Sequence, residues 1–446
     1  MANTYLSKTF SSAGNQTTWT FSVWVKRCIL GGEQPIFSRY QSSDYHTFFG
    51  FAASGALVFK QVNAGSDTGN LTTNRLFRDT AAWYHLVAVW DTTNGTAGDR
   101  MKLYVNGVEE TSFATDTNPS SSLASTWNTA HPMEVGRSQS NYFNGYMSHI
   151  AFVDGTAAAP TVFGEIDSVS GIWKFKSPTG VTWGTNGFHL KGESSGNLGT
   201  DSSSNTSNWT LNGDGHQAID TPSNNYATLN PLWFAHFEFT FSNGNGTTTA
   251  GAAHRPLMPT IALSKGKWYI EAQALAGSAT KWWWGLAEQN ELDYYQFKGS
   301  SDNIDLGSLG TWNNQAVYNN NLNVNNSTAI SSMFASGAVA AGDYVGIAVD
   351  LDNQKVWYSK GGVWNNGSGT ESTTLNASYP DSTSLTAGDH YYIAFGGENC
   401  GWHMNYGNGY FGQVAAGTNQ DGNSEGKFKY SVPSGFLAIN TNNMES

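Results

Sequence analysis

Residues 83–107 read WYHLVAVWDTTNGTAGDRMKLYVNG. An apolar run ends at Asp91, crosses a polar turn, resumes as the alternating Met101–Val105 and closes on Asn106-Gly107. Alternation between turn residues marks a β-hairpin, and Asn-Gly is a strong turn pair. The same device returns at 344–362, YVGIAVDLDNQKVWYSKGG. Similar short runs lie at 18–26 (TWTFSVWVK), 145–153 (GYMSHIAFV), 267–275 (KWYIEAQAL) and 391–397 (YYIAFGG), while helical periodicity is almost absent. Many short strands between Gly, Asn, Asp and Ser predict an all-β chain of two antiparallel β-sandwiches.

Composition agrees. Aromatic residues make up 14% of the 446 residues and charged residues only 13%, about half the usual charged share. The polar surface is therefore built from Asn, Ser, Thr and Gly. The net charge of −12 and the lack of any Lys/Arg cluster exclude nucleic-acid binding as a main function. No apolar run approaches the ~18 residues of a membrane span, and MANTYLSKTF lacks the apolar core of a signal peptide. Cys28 and Cys400 form neither a disulfide framework nor a zinc motif.

Residues 192–230 are rich in Ser, Asn, Gly and Asp and hold few apolar anchors besides Trp209 and Leu211. The expected organisation is a sandwich over 1–165, a connector over 166–230 and a second sandwich over 231–446.

The order TWTFSVWVKR, IFSRY, WYHLVAVWD, MKLYVNGVEE, GYMSHIAFVDG resembles a laminin-G-like, concanavalin A-like domain over about residues 3–160. GKWYIEAQAL, WWWGLA, GDYVGIAVDLDNQKVWYSKGGVW, YYIAFGG and PSGFLAIN resemble an SPRY-type domain over about 226–440. Both resemblances imply jelly-roll sandwiches, and SPRY-type domains commonly serve as binding modules. The connector GTNGFHLKGESSGNLGTDSSSNTSNWTLNG is similar to the joint between such modules in virion proteins of tailed phages, marine ones especially.

A search for chemistry finds little. Glu165-Ile166-Asp167 begins like the carboxylate run of glycosidases on this fold, but the second Glu is absent. His85 and His236 lie inside strands and read as packed residues. There is no G-x-S-x-G, no H-E-x-x-H and no phosphate loop. These absences favour a non-enzymatic protein. Laminin-G-like domains sometimes bind Ca2+, which makes Asp91 with Asp99, and Asp201, the candidate ligands; ordinary Asx turns are the competing reading. Aromatic surface is the remaining feature. Sugars stack on Trp and Tyr, so the ligand-binding candidates are Trp127, Tyr142, Trp283, Trp312, Trp364 and Trp402. In SATKWWWGLA (278–287), strand alternation puts Trp282, Trp284 and Leu286 on one face. Trp284 and Leu286 are expected inward, leaving the Trp283 ring uncovered on the other face.

The expected function is phage virion attachment, as a tail fibre or receptor-binding protein recognising host surface glycan, displayed on a virion assembled in the host cytoplasm. The alternative is a structural capsid or tail decoration whose modules bind other virion proteins; a sandwich starting near residue 1 favours it. A polysaccharide depolymerase is disfavoured. The expected partners are other virion proteins and host glycans, with no nucleic acid and no membrane insertion, in a homo-oligomer of trimeric type.

Overall fold

The computed structural model describes residues 3–233, 239–250, 255–275, 281–288, 315–318, 321–324, 327–367 and 370–444. The chain divides into two compact units, Met1–Gln217 with Thr221–Ser223, and Ala218–Asp220 with Asn224–Ser446. Both are antiparallel β-sandwiches, as the alternating runs predict.

In the first unit an eight-stranded sheet runs Phe113–Thr117, Ser66–Leu76, Ala56–Asn63, Tyr45–Phe51, Gln34–Ser42, Pro132–Val135, Tyr5–Thr9, Thr210–Asn212. The facing six-stranded sheet runs Phe188–Leu190, Gly145–Asp154, Thr18–Arg27, Trp83–Asp91, Met101–Val105, Val108–Glu109. Alternation in Thr18–Arg27 sends Trp19, Phe21, Val23 and Val25 into the core between the sheets. There Trp19 meets Trp127 at 4.9 Å and Trp90 at 6.1 Å between ring centroids. The opposite face of this strand is buried too. Residues after 155 fold back over it, with Phe163 and Trp183 packing on Ala151 and Val153.

That return corrects the connector reading of 166–230. Phe188–Leu190 is a sheet strand, Thr210–Asn212 pairs with Tyr5–Thr9, and Trp209 is buried in the core. Several polar residues between them bond to backbone. Asp201 accepts from the backbone N–H groups of His189, Ser203 and Ser207. Such side-chain-to-backbone bonds hold an irregular chain where apolar anchors are few.

In the second unit a seven-stranded sheet runs Phe239–Ser242, Thr247–Ala250, Gly401–Asn405, Lys267–Leu275, Tyr344–Asp350, Lys355–Lys360, Val363–Trp364. A six-stranded sheet runs Arg255–Leu257, Tyr391–Glu398, Lys281–Glu288, Gln315–Tyr318, Asn321–Val324, Ser327–Ile330. Trp282, Trp284 and Leu286 enter the core between them, as alternation requires. Trp283 does point the other way, but it is covered. Met258 and Ala394 pack on it, with Trp233 and Tyr392 alongside, and 3% of it is exposed.

Part of the outer face of the seven-stranded sheet, around Tyr269 and Trp357, is covered by the C-terminal ribbon, whose Phe428, Phe436 and Ala438 pack there. Glu271 fastens this ribbon. Its buried carboxylate accepts from the backbone N–H groups of Lys429 and Tyr430, each at 2.8 Å, and from the Tyr269 hydroxyl at 2.8 Å.

Candidate functional site

One arrangement in the first unit has the outline of a catalytic pair. Ser22 Oγ lies 2.9 Å from His85 Nε2. The direction of the proton decides what it can do. Trp173 Nε1 lies 3.0 Å from His85 Nδ1, and an indole nitrogen can only donate. Nδ1 is therefore the acceptor, and Nε2 carries the proton and donates to Ser22. A histidine in that tautomer cannot take the serine proton. Burial pushes the His85 pKa down to about 3, holding the ring neutral. Trp24 and Trp173 stack beside the ring at 4.8 and 5.9 Å. This pair fastens the Trp173–Phe175 strand onto the sheet.

The structure separates the sequence candidates. Trp127 and Trp402 are buried at 0% and 1% exposure and Trp364 at 3%, so none is a platform. Trp127 plugs the core among Trp19, Phe37 and Phe59. Trp402 lies in the core with its Nε1 donating to the Gly396 carbonyl. Trp364 packs beside Tyr269. Trp364 and Trp402 lie in the strands Val363–Trp364 and Gly401–Asn405, whose pairing carries the large rings inward despite their Asn and Gly neighbours. Trp283 is covered as described, and Trp312 lies outside the described residues, as does His236.

The Ca2+ candidates are spoken for. Asp91 accepts from the backbone and hydroxyl of Thr93, an Asx turn. Asp99 pairs with Lys102 at 2.9 Å. Asp201 spends both carboxylate oxygens on backbone and Ser203. Among the described residues no three His, Cys, Asp or Glu side chains gather to hold a metal. Asp167 is likewise a turn residue, held well below the usual carboxylate range chiefly by its bond to Lys174.

Among the candidates that lie in the described residues, Tyr142 alone is half-exposed, and it has company. A tight hairpin pairs Arg137 with Tyr142 and Ser138 with Asn141. Directly paired residues project to the same side. The Arg137 guanidinium thus lies near the Tyr142 ring, 5.8 Å from its centroid, and over Tyr5 at 4.5 Å. The two tyrosine rings are 6.2 Å apart and tilted by 57°. Arg137 Nε donates to the Gln139 carbonyl, and Glu134 lies 3.5 Å from Nη1. Desolvation raises the Glu134 pKa, partly offset by Arg137. The exposed Asn141 donates to Glu33 at 2.8 Å. All of Tyr5, Arg137, Tyr142 and Glu134 are half-buried. The result is a fixed cation between two ring faces, with carboxylates and an amide at hand. Tyr5 and Arg137 escape sequence reading because Arg137 meets Tyr142 through hairpin pairing and Tyr5 reaches them from another sheet.

Comparison with known proteins bears on the domain carrying this surface. Residues 2–162 match the family model of the concanavalin A-like lectin/glucanases superfamily, Laminin_G_3. The N-terminal sandwich is a concanavalin A-like jelly-roll domain. Among solved structures the chain is similar to a native heptameric SAP-like pentraxin from Limulus polyphemus, at 19% identity over 36% of this chain and 73% of that chain, with a TM-score of 0.27. It is also similar to the SPRY domain of human HERC1 (10% identity, 40% of this chain, 96% of that chain, TM-score 0.25) and to the TRIM65 PSpry domain (14%, 40%, 91%, 0.27). No curated protein matches.

Proposed function

We propose that the protein is a non-enzymatic carbohydrate-binding protein, and that its finer role is glycan attachment by a phage virion. The observation that carries the reading is the half-exposed Tyr5–Arg137–Tyr142 surface on a concanavalin A-like domain. Tyrosine faces stack on the apolar side of a sugar ring, while a guanidinium, an amide and carboxylates bond its hydroxyls. The wrong tautomer of His85 supports binding rather than hydrolysis. Each contact is weak, so copies in a homo-oligomer, a trimer in this reading, multiply the affinity. A glycan array with the purified full chain tests it. A defined set of saccharides that bind native protein and fail to bind Tyr142→Ala supports the reading; no binder overturns it.

One feature favours the second reading, a structural virion protein. Val108, Ile166, Val169 and Ile172 are 70%, 67%, 96% and 66% exposed, three of them on one hairpin, Gly164–Phe175. Exposed apolar residues grouped this way suit contact with another protein. Immunolabelling of purified particles separates a fibre tip from a capsid or tail-tube position.

A further inference from the structure

The second unit carries a surface that the sugar-binding reading of the first unit does not use. Sheet register aligns Thr247 with His403, His403 with Gln273 and Gln273 with Tyr344. Their neighbours Trp402, Met404, Ala272, Ala274 and Val345 face the core, so this row faces outward. Four residues on adjacent strands span about 14 Å, the length of two or three sugar rings. Thr247 is buried, whereas His403, Gln273 and Tyr344 are half-buried. The row is polar along most of its length. His403 Nδ1 bonds Thr247 Oγ1 at 2.8 Å, and its Nε2 makes no hydrogen bond among the described residues.

A wall stands over the Tyr344 end. Phe411 packs edge-on to Tyr344 at 5.0 Å, and Tyr430 does so at 6.2 Å. The exposed Lys429 ammonium sits 4.4 Å from the Tyr344 centroid and 5.8 Å from that of Tyr430. Lys429 has no carboxylate partner among the described residues, although the chain is acidic overall. The wall is also fixed in place. Glu271 holds the backbone N–H groups of Lys429 and Tyr430. Gly362, at φ +78°, lies so close under the Tyr430 ring that an added Cβ would sit 2.4 Å from it. Gly412 fits against His403 in the same way, at 2.5 Å.

We propose that this row and its wall form a second binding site, for a short acidic saccharide carrying carboxylate or sulfate groups. Gln273 and His403 supply hydrogen bonds along the floor, with the buried Thr247 holding the His403 ring in place. Tyr344 and Tyr430 give aromatic edges and faces, and the exposed Lys429, held beside both rings, supplies positive charge to the acidic group. Two sites on one chain would make it a bivalent reader of a glycan surface.

Calorimetric titration of the full chain tests this, with a galacturonic-acid tetrasaccharide and a sulfated galactan tetrasaccharide as probes and a neutral galactan tetrasaccharide as control. At least one acidic probe should bind, at least fivefold more tightly than the neutral one. Lys429→Gln should weaken it at least fivefold, as should Gln273→Ala, with the unfolding midpoint unchanged. Affinity should fall between 0.05 and 0.5 M NaCl as screening predicts. Tyr142→Ala, which removes the first-unit surface, should leave it intact, so the two sites fail independently. Failure of both acidic probes to bind, a difference under fivefold between acidic and neutral probes, or a Lys429→Gln loss under fivefold would each overturn the proposal.

Discussion

His85 should make the first unit sensitive to acid in a way that one substitution can expose. The ring is fully buried between tryptophans, accepts from Trp173 and donates to Ser22. Burial takes its pKa from 6.5 to about 3. Between those values the unfolded chain binds a proton that the folded chain refuses. Stability from this group is thus complete above pH 6.5 and is lost as pH falls toward 3. The slope is about 1.4 kcal/mol per pH unit, and the whole window amounts to about 5 kcal/mol. His85→Gln keeps an acceptor for Trp173 and a donor for Ser22 but cannot titrate. Native protein and variant should be compared by urea denaturation followed by tryptophan fluorescence from pH 7 to pH 4. The stability advantage of the native chain at pH 7 should shrink, or reverse, by about 1.4 kcal/mol per pH unit below pH 6. Parallel pH profiles would refute the reasoning. So would a nitrogen NMR titration showing His85 charging near its ordinary value.

Other consequences follow from covered side chains and tight backbone contacts. Trp283→Ala should destabilise the second unit by about 3–5 kcal/mol, the usual cost of emptying a buried Trp site, and leave saccharide binding at the Tyr142 surface unchanged on the glycan array. Glu271→Gln puts an amide nitrogen where donors point from both sides, since each carboxylate oxygen accepts from a backbone N–H. It should cost about 2–3 kcal/mol and expose the C-terminal ribbon to limited proteolysis before the rest of the unit. Gly362→Ala combines a positive φ with a clash into the Tyr430 ring; it should lower the unfolding midpoint by at least the equivalent of about 1 kcal/mol.

The strands were legible because alternation and turn chemistry are local. Trp83–Asp91 and Tyr344–Asp350 declare themselves within ten residues, and the inward side of Trp282–Leu286 follows from period two alone. What covers the outer faces is not local. Trp283 is buried by Met258 and Ala394, and Trp127 by rings from strands far away in sequence. The polar stretch around Asp201 reads as solvated because composition does not show that its side chains bond backbone. Tyr142 is visible as a surface aromatic, but Arg137 joins it only through register and Tyr5 only through packing between sheets. Trp364, between Gly361-Gly362 and Asn365-Asn366, is 3% exposed, so Asn and Gly flanks do not mark a surface ring in this chain. In a chain with so few charges, these residues also build the turns beneath the surface.

The central claim is that the Tyr5–Arg137–Tyr142 surface holds a saccharide. It is met most directly by titrating the strongest glycan-array ligand into the native full chain and into Arg137→Ala and Tyr142→Ala, with circular dichroism to confirm folding. The account predicts a loss of at least about tenfold in affinity for each variant, about 1.4 kcal/mol, with the fold intact. Equal affinity in folded variants would contradict it.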